Sequence, residues 1–168
     1  SFCFEIFFIF DLNNFIMKTL DQWFDEYAVS HQNSTNIAIH FICVPVIFFS
    51  IIGFFLSIPN DSLIGLMGIH KSTVMNWASV VIVFLFLFYV RLSVSMAIKI
   101  LIFSILCLVV NSFISQYVSL WLFSLVIFVL AWIGQFYGHK VEGIKPSFLK
   151  DIQFLLIGPA WVIKKMFN

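Results

Sequence analysis

The sequence predicts an all-α integral membrane protein: four transmembrane helices, an N-terminal amphipathic helix, and short C-terminal interfacial or re-entrant helices. Three observations carry that expectation. The 168 residues are 62% hydrophobic and only 10% charged, whereas ordinary soluble domains hold roughly 25% charged residues. Mean hydropathy is +1.07, which implies more apolar surface than so small a chain can bury in a core of its own. The apolar residues also gather into four long runs separated by short polar turns.

Residues 1–16, SFCFEIFFIFDLNNFI, begin with Ser and lack the basic segment of a signal peptide. They are set aside as an N-terminal extension without assigned function, since Met17 followed by KTLDQW is a reasonable start. Residues 17–168 then read as a single membrane-embedded helical domain, without internal repeat or flexible linker. In TLDQWFDEYAV, residues Leu20, Trp23, Phe24 and Tyr27 recur at the spacing of one helical face, with Asp21, Asp25 and Glu26 largely opposite. Thr19 and Gln22 have capping-box spacing. The segment is expected to be an amphipathic helix lying along the membrane surface. It stops at SHQNSTN, where short polar side chains compete for backbone hydrogen bonds.

The four apolar runs are Ile37–Ile58, Val74–Val90, Val94–Val110 and Val118–Phe136. Each approaches the roughly 20 residues that cross a bilayer. The middle pair, joined by RLS, reads as a helical hairpin. The tail PSFLKDIQFLLIGPAWVIKKMFN is interrupted at Gly158 and Pro159, so it is expected to form two short helices packed beneath the bundle.

Four crossings would return the end of the last span to the face where the first begins. On that face lie Lys18, Arg91, Lys99, Lys140, Lys145, Lys150, Lys164 and Lys165, with only Lys71 opposite. Such a bias marks the face as cytoplasmic, in a bacterial inner membrane or the endoplasmic reticulum. A net charge of +1 offers no basic surface for nucleic acid. Cys3, Cys43 and Cys107 are scattered and form no CxxC pair, so they read as small packing residues. Oligomeric state is left open.

His31, His40 and His139 all fall on the cytoplasmic face, whereas His70 lies in a turn on the other. On one continuous helix, His31 and His40 would face opposite ways. The Asn-Ser-Thr-Asn turn between them removes that restriction and lets both point into one cavity. Asn36 stands one turn before His40, and Pro45 frees the carbonyl of Phe41 nearby. Gln135, His139 and Glu142 share one helical face, which Gly143 and Pro146 terminate.

Polar groups at a membrane helix end are costly unless paired or used. Three imidazoles plus a carboxylate form an ordinary ligand set for a first-row metal, iron or zinc, with Gln135 and Asn36 orienting the rings. The alternative is that the histidines bond only to headgroups or backbone. HExxH, paired ExxH and GxSxG motifs are all missing. A mononuclear site with open positions therefore fits better than a two-metal one. The rival functions are a non-enzymatic scaffold or lipid-binding bundle and a zinc-dependent lipid hydrolase. A transporter would need ionisable residues at the midplane, and the spans carry almost none.

YAVSHQNSTNIAIHFICVP supplies a tyrosine, a histidine, an asparagine, a second histidine and a proline in order. GQFYGHKVEGIKPS follows the pattern Gln-Phe-x-Gly-His-x-x-Glu-Gly-x-x-Pro, and LLIGPAWV supplies a later Pro-containing segment. Together they resemble the small membrane-bound 2-hydroxy-fatty-acid dioxygenases of phytosphingosine breakdown, over about Met17 to Phe167. The resemblance implies an Fe(II)-dependent dioxygenase that takes molecular oxygen and shortens a 2-hydroxy fatty acid by one carbon. It implies His31, His40 and His139 as iron ligands, and Glu142 as a fourth ligand or an acid/base group. Asn36, Gln135 and Tyr27 would be supporting polar residues. Ser147 departs from the pattern, standing where a small apolar residue is expected. Lys140 and Lys145 stand near the expected mouth, where they could attract the substrate carboxylate or simply obey the charge bias.

Overall fold

A computed structural model describes residues 18–61, 63, 65, 75–143 and 148–167. The elements among them are all helical: α1 (Leu20–Val29), α2 (Ser34–Ser57), α3 (Trp77–Leu92), α4 (Val94–Ile114), α5 (Leu120–Glu142) and α6 (Phe148–Phe167). His70, Lys71, Lys145 and Ser147 lie outside the described residues.

Local chemistry sets the helix starts. Thr19 accepts from the Gln22 amide at 3.3 Å while the Gln22 side chain accepts from the Thr19 amide at 2.8 Å, the expected reciprocal cap of α1. Asn33 caps α2 through the Thr35 amide at 2.9 Å. Asn76 caps α3 through Ser79 at 2.9 Å. Ser93 ends α3 and caps α4, so the expected hairpin turns on a single residue. Gly143, at φ 76°, ends α5 in the left-handed region that glycine adopts without strain.

Among the described residues, the expectation of four spans is met by three. Helices α2, α4 and α5 are long and apolar enough to cross a membrane. Helix α3 has 16 residues, about 24 Å against a hydrocarbon thickness of about 30 Å. It is shorter than the apolar run because Asn76 takes the cap and places the first turn at Trp77. The chain nevertheless makes four passes along the bundle. Ala78 and Ile82, early in α3, pack beside Phe48, Ile52 and Cys107. Tyr89, late in α3, packs with Met96, Ala97 and Ile100 beside Trp23 and Tyr27. That traverse brings the start of α2 and the end of α5 to the same end of the bundle.

Two further expectations are corrected. The apolar face of α1 does not lie open along a membrane surface. Trp23, Phe24 and Tyr27 are buried in one cluster with Ile157, Ala160, Trp161 and Val162 of α6. The protein's own last helix thus covers that face, with the Lys164–Asp21 ion pair at 3.1 Å on its rim. The tail is also one helix, continuous through Gly158 and Pro159, instead of two. Proline removes one i→i−4 bond, but tertiary burial of Ile157 to Val162 holds the turn in place. Beside the break, the Tyr89 hydroxyl donates to the Leu156 carbonyl. A side chain at Gly158 would meet Val44 at 3.1 Å, so the residue there must be small.

Candidate metal centre

Three histidines meet at one end of the bundle. His31 sits in the turn after α1, His40 in the second turn of α2, and His139 in the last turn of α5. Their ring centroids lie 4.2 Å (His31–His40), 5.2 Å (His40–His139) and 5.8 Å (His31–His139) apart. Each offers a ring nitrogen within 4.8 Å of those of the other two. All three are buried, at 4%, 2% and 8% exposure, so water does not supply their hydrogen bonds from bulk.

The partners of two of these rings fix their tautomers. His31 Nδ1 is 2.6 Å from the Tyr27 carbonyl and His40 Nδ1 is 2.9 Å from the Asn36 carbonyl. A carbonyl only accepts, so both Nδ1 atoms carry hydrogen and both Nε2 atoms present a lone pair. His31 Nε2 is buried without a hydrogen-bond partner, and so is His139 Nδ1. Each such orphan costs about 1–3 kcal/mol if nothing binds it. Burial pushes the His31 pKa from 6.5 down to about 4, although the Tyr27 carbonyl works the other way. The ring is therefore neutral at pH 7 and free to ligate. Stacking on Tyr27, at 3.9 Å and 4°, sets its plane.

The residues fit a metal ion by their donor chemistry: three imidazoles, two orphaned nitrogens and backbone carbonyls that orient two of the rings. They bound a cavity of about 30 Å³ lined also by Tyr27, Val44, Ile47, Trp132, Gln135, Phe154 and Leu155. That is room for an ion and a water or two.

Glu142 stands apart from the three nitrogens. One carboxylate oxygen accepts from the Gln32 amide at 2.8 Å, and both accept from the Asn33 amide at 3.0–3.1 Å. The second also accepts from Asn36 Nδ2 at 2.9 Å. A carboxylate just ahead of a helix N-terminus, here on the amides of the N-cap Asn33 and the preceding Gln32, is favoured by the helix dipole. Here it ties the end of α5 to the turn that carries His31. Asn36 extends the tie, donating also to the Ser30 carbonyl at 3.2 Å. A side chain at Gly138 would run into Asn36 Oδ1, so glycine is what allows α5 to approach this closely.

This constellation is what the comparison with known proteins bears on. The family model described as 2-hydroxy-palmitic acid dioxygenase Mpo1-like matches residues 17–168. The chain belongs to that family. No curated protein and no solved structure matches it.

Among the residues singled out from sequence, the three histidines, Tyr27 and Gln135 line this cavity. Asn36 and Glu142 sit beside it and brace it. Sequence reasoning missed its apolar part: Val44, Ile47, Trp132, Phe154 and Leu155. A signal for three of them was present. Val44 and Ile47 follow His40 by four and seven residues, and Trp132 precedes His139 by seven, so each shares its histidine's stripe. Phe154 and Leu155 reach the cavity only because α6 is one continuous helix packed on α1 and α2.

Proposed function

We propose that the chain is an Fe(II)-dependent dioxygenase of α-oxidation, converting a 2-hydroxy fatty acid and O2 to the fatty acid one carbon shorter, CO2 and water. Those products balance the substrates without an external reductant. The observation that carries the reading is the set of three buried imidazoles whose ring nitrogens converge, two of them, His31 Nε2 and His139 Nδ1, without hydrogen-bond partners, in a member of this family. His31, His40 and His139 hold the iron, which when bound supplies the activation of oxygen.

The remaining residues position and exclude. The Tyr27 and Asn36 carbonyls hold two rings in the ligating tautomer. Glu142 locks the His31 turn against α5, as a positioning group instead of a fourth ligand. Burial of the site keeps bulk water from the reacting carbons. The apolar lining, Val44, Ile47, Trp132, Phe154 and Leu155, faces the first carbons of the alkyl chain beside the headgroup. The bias of eight cations against Lys71 supports a cytoplasmic position for the site.

The test is turnover by anaerobically purified, iron-loaded protein given 2-hydroxypalmitate. The reading expects pentadecanoate and CO2 in equal amounts, strictly dependent on O2 and lost in His139→Ala. Protein that carries zinc, leaves 2-hydroxypalmitate intact in the presence of oxygen and cleaves an ester or amide lipid without oxygen would instead indicate a lipid hydrolase.

A further inference from the structure

The cavity has two unlike sides. Its polar lining is buried: His31, His40, His139 and Gln135 are 8% exposed or less. Val44 and Ile47 close the back wall and are equally buried. The partly exposed lining residues are Trp132 on α5 and Phe154 and Leu155 on α6. The mouth is therefore apolar and lies where α5 and α6 face each other. Beside Trp132 on α5, Val129, Ile133 and Phe136 are exposed at 46%, 58% and 48%. Helix α5 is long and apolar enough to cross a membrane, and large apolar side chains exposed on such a helix face acyl chains. The mouth accordingly opens sideways, toward lipid.

Gln135 supplies the second observation. It is 4% exposed, lines the cavity, and its Nε2 has no hydrogen-bond partner. One helical turn before His139, it stands between the histidines and the mouth. A buried amide donor without a partner is costly unless a ligand accepts from it. Trp132 Nε1, beside the mouth, is a second buried donor without a partner.

We infer that the substrate enters laterally from the bilayer between α5 and α6, its alkyl chain lying against Trp132, Phe154 and Leu155 while Gln135 Nε2 donates to its headgroup. This rests on the dioxygenase reading for the identity of the acid. The geometry explains how one small cavity serves a long molecule: only the carboxyl and hydroxyl carbons are enclosed, and the rest of the chain stays in or near lipid. Gln135 distinguishes an oxygen-bearing headgroup from a bare hydrocarbon end, because only the former accepts its hydrogen bond.

The experiment uses iron-loaded full-length protein in phosphatidylcholine vesicles and 2-hydroxypalmitate bearing a mid-chain diazirine. Irradiation is expected to label Trp132, Phe154 or Leu155, with the label displaced by excess unmodified acid. Displaceable label confined to the groove of Phe49, Leu106 and Val110 between α2 and α4, or no displaceable label, overturns the portal. Binding of unmodified radiolabelled acid is measured in parallel. An acid that binds but labels elsewhere defeats this inference alone, whereas failure of the acid to bind defeats the dioxygenase reading as well. Gln135→Leu is expected to weaken 2-hydroxypalmitate binding about tenfold or more while leaving hexadecane binding and iron content unchanged. Equal loss for both ligands, or no loss for the acid, contradicts the headgroup role.

Discussion

The two ends of the bundle bury polar groups in different ways. In the layer around Phe48, Ile52 and Cys107, side-chain donors mostly bond back to carbonyls of their own helix. Ser50 donates to Ile47 at 2.7 Å and Ser104 to Ile100 at 2.7 Å. Asn111 donates to Cys107 at 2.9 Å and across to Phe49 of α2 at 3.1 Å. These contacts join helices where lipid offers no competing hydrogen bonds. At the other end, the rings of His31 and His40 bond to backbone through one nitrogen and turn the second toward a shared cavity. A buried polar residue in a membrane helix is thus glue or site according to where its last unbonded atom points. The exception in the first layer sharpens the rule. Asn111 Oδ1 and Ser124 Oγ have no partner, but both are packed directly against Gly53 instead of against a cavity that lines them.

Substitutions at the two ends should separate accordingly. The largest effect is expected from His40→Ala, which should weaken iron binding by more than about 100-fold, beyond the loss typical of a residue that merely supports a ligand. Metal analysis of the purified variant checks this, and retained iron would show that the ring is not a ligand. Ile52→Ala, in the other layer, should cost about 3 kcal/mol through the cavity it leaves. Denaturation in detergent reads that loss, while iron per folded chain should stay at the wild-type value.

Glu142→Gln is intermediate. It keeps the shape of the tie but removes its charge, and should weaken iron retention about tenfold and stability by about 1–2 kcal/mol. Chelator-competition titration separates this from ligand loss, since a carboxylate bound to the metal would cost far more. Ser124→Ala should be the smallest, within about 0.5 kcal/mol, because the hydroxyl it removes has no partner to lose. A large destabilisation there would mean that the hydroxyl is held by a group such as buried water.

Much of this layout is readable from sequence because it depends on short-range pattern. The Thr19–Gln22 cap, the Ser93 hairpin, the Gln135–His139–Glu142 face and the turn separating His31 from His40 all follow from residues a few positions apart. What could not be read depends on packing between distant segments. The apolar face of α1 is the same whether lipid or α6 covers it, and only the fold decides. Pro159 signals a break that the surrounding burial overrides. The histidine stripe on which Glu142 lies does not show the tie it makes. The Glu142 oxygens are taken by Gln32 and Asn33, residues more than 100 positions away.

The most direct test of the account is the metal content of the anaerobically purified protein and of its three single histidine-to-alanine variants, with folding checked by helical circular dichroism. The account predicts one iron per chain in the parent and near none in each of His31→Ala, His40→Ala and His139→Ala, all still helical. A parent that binds no metal under iron-replete conditions, or a folded variant that keeps its full complement, would contradict it.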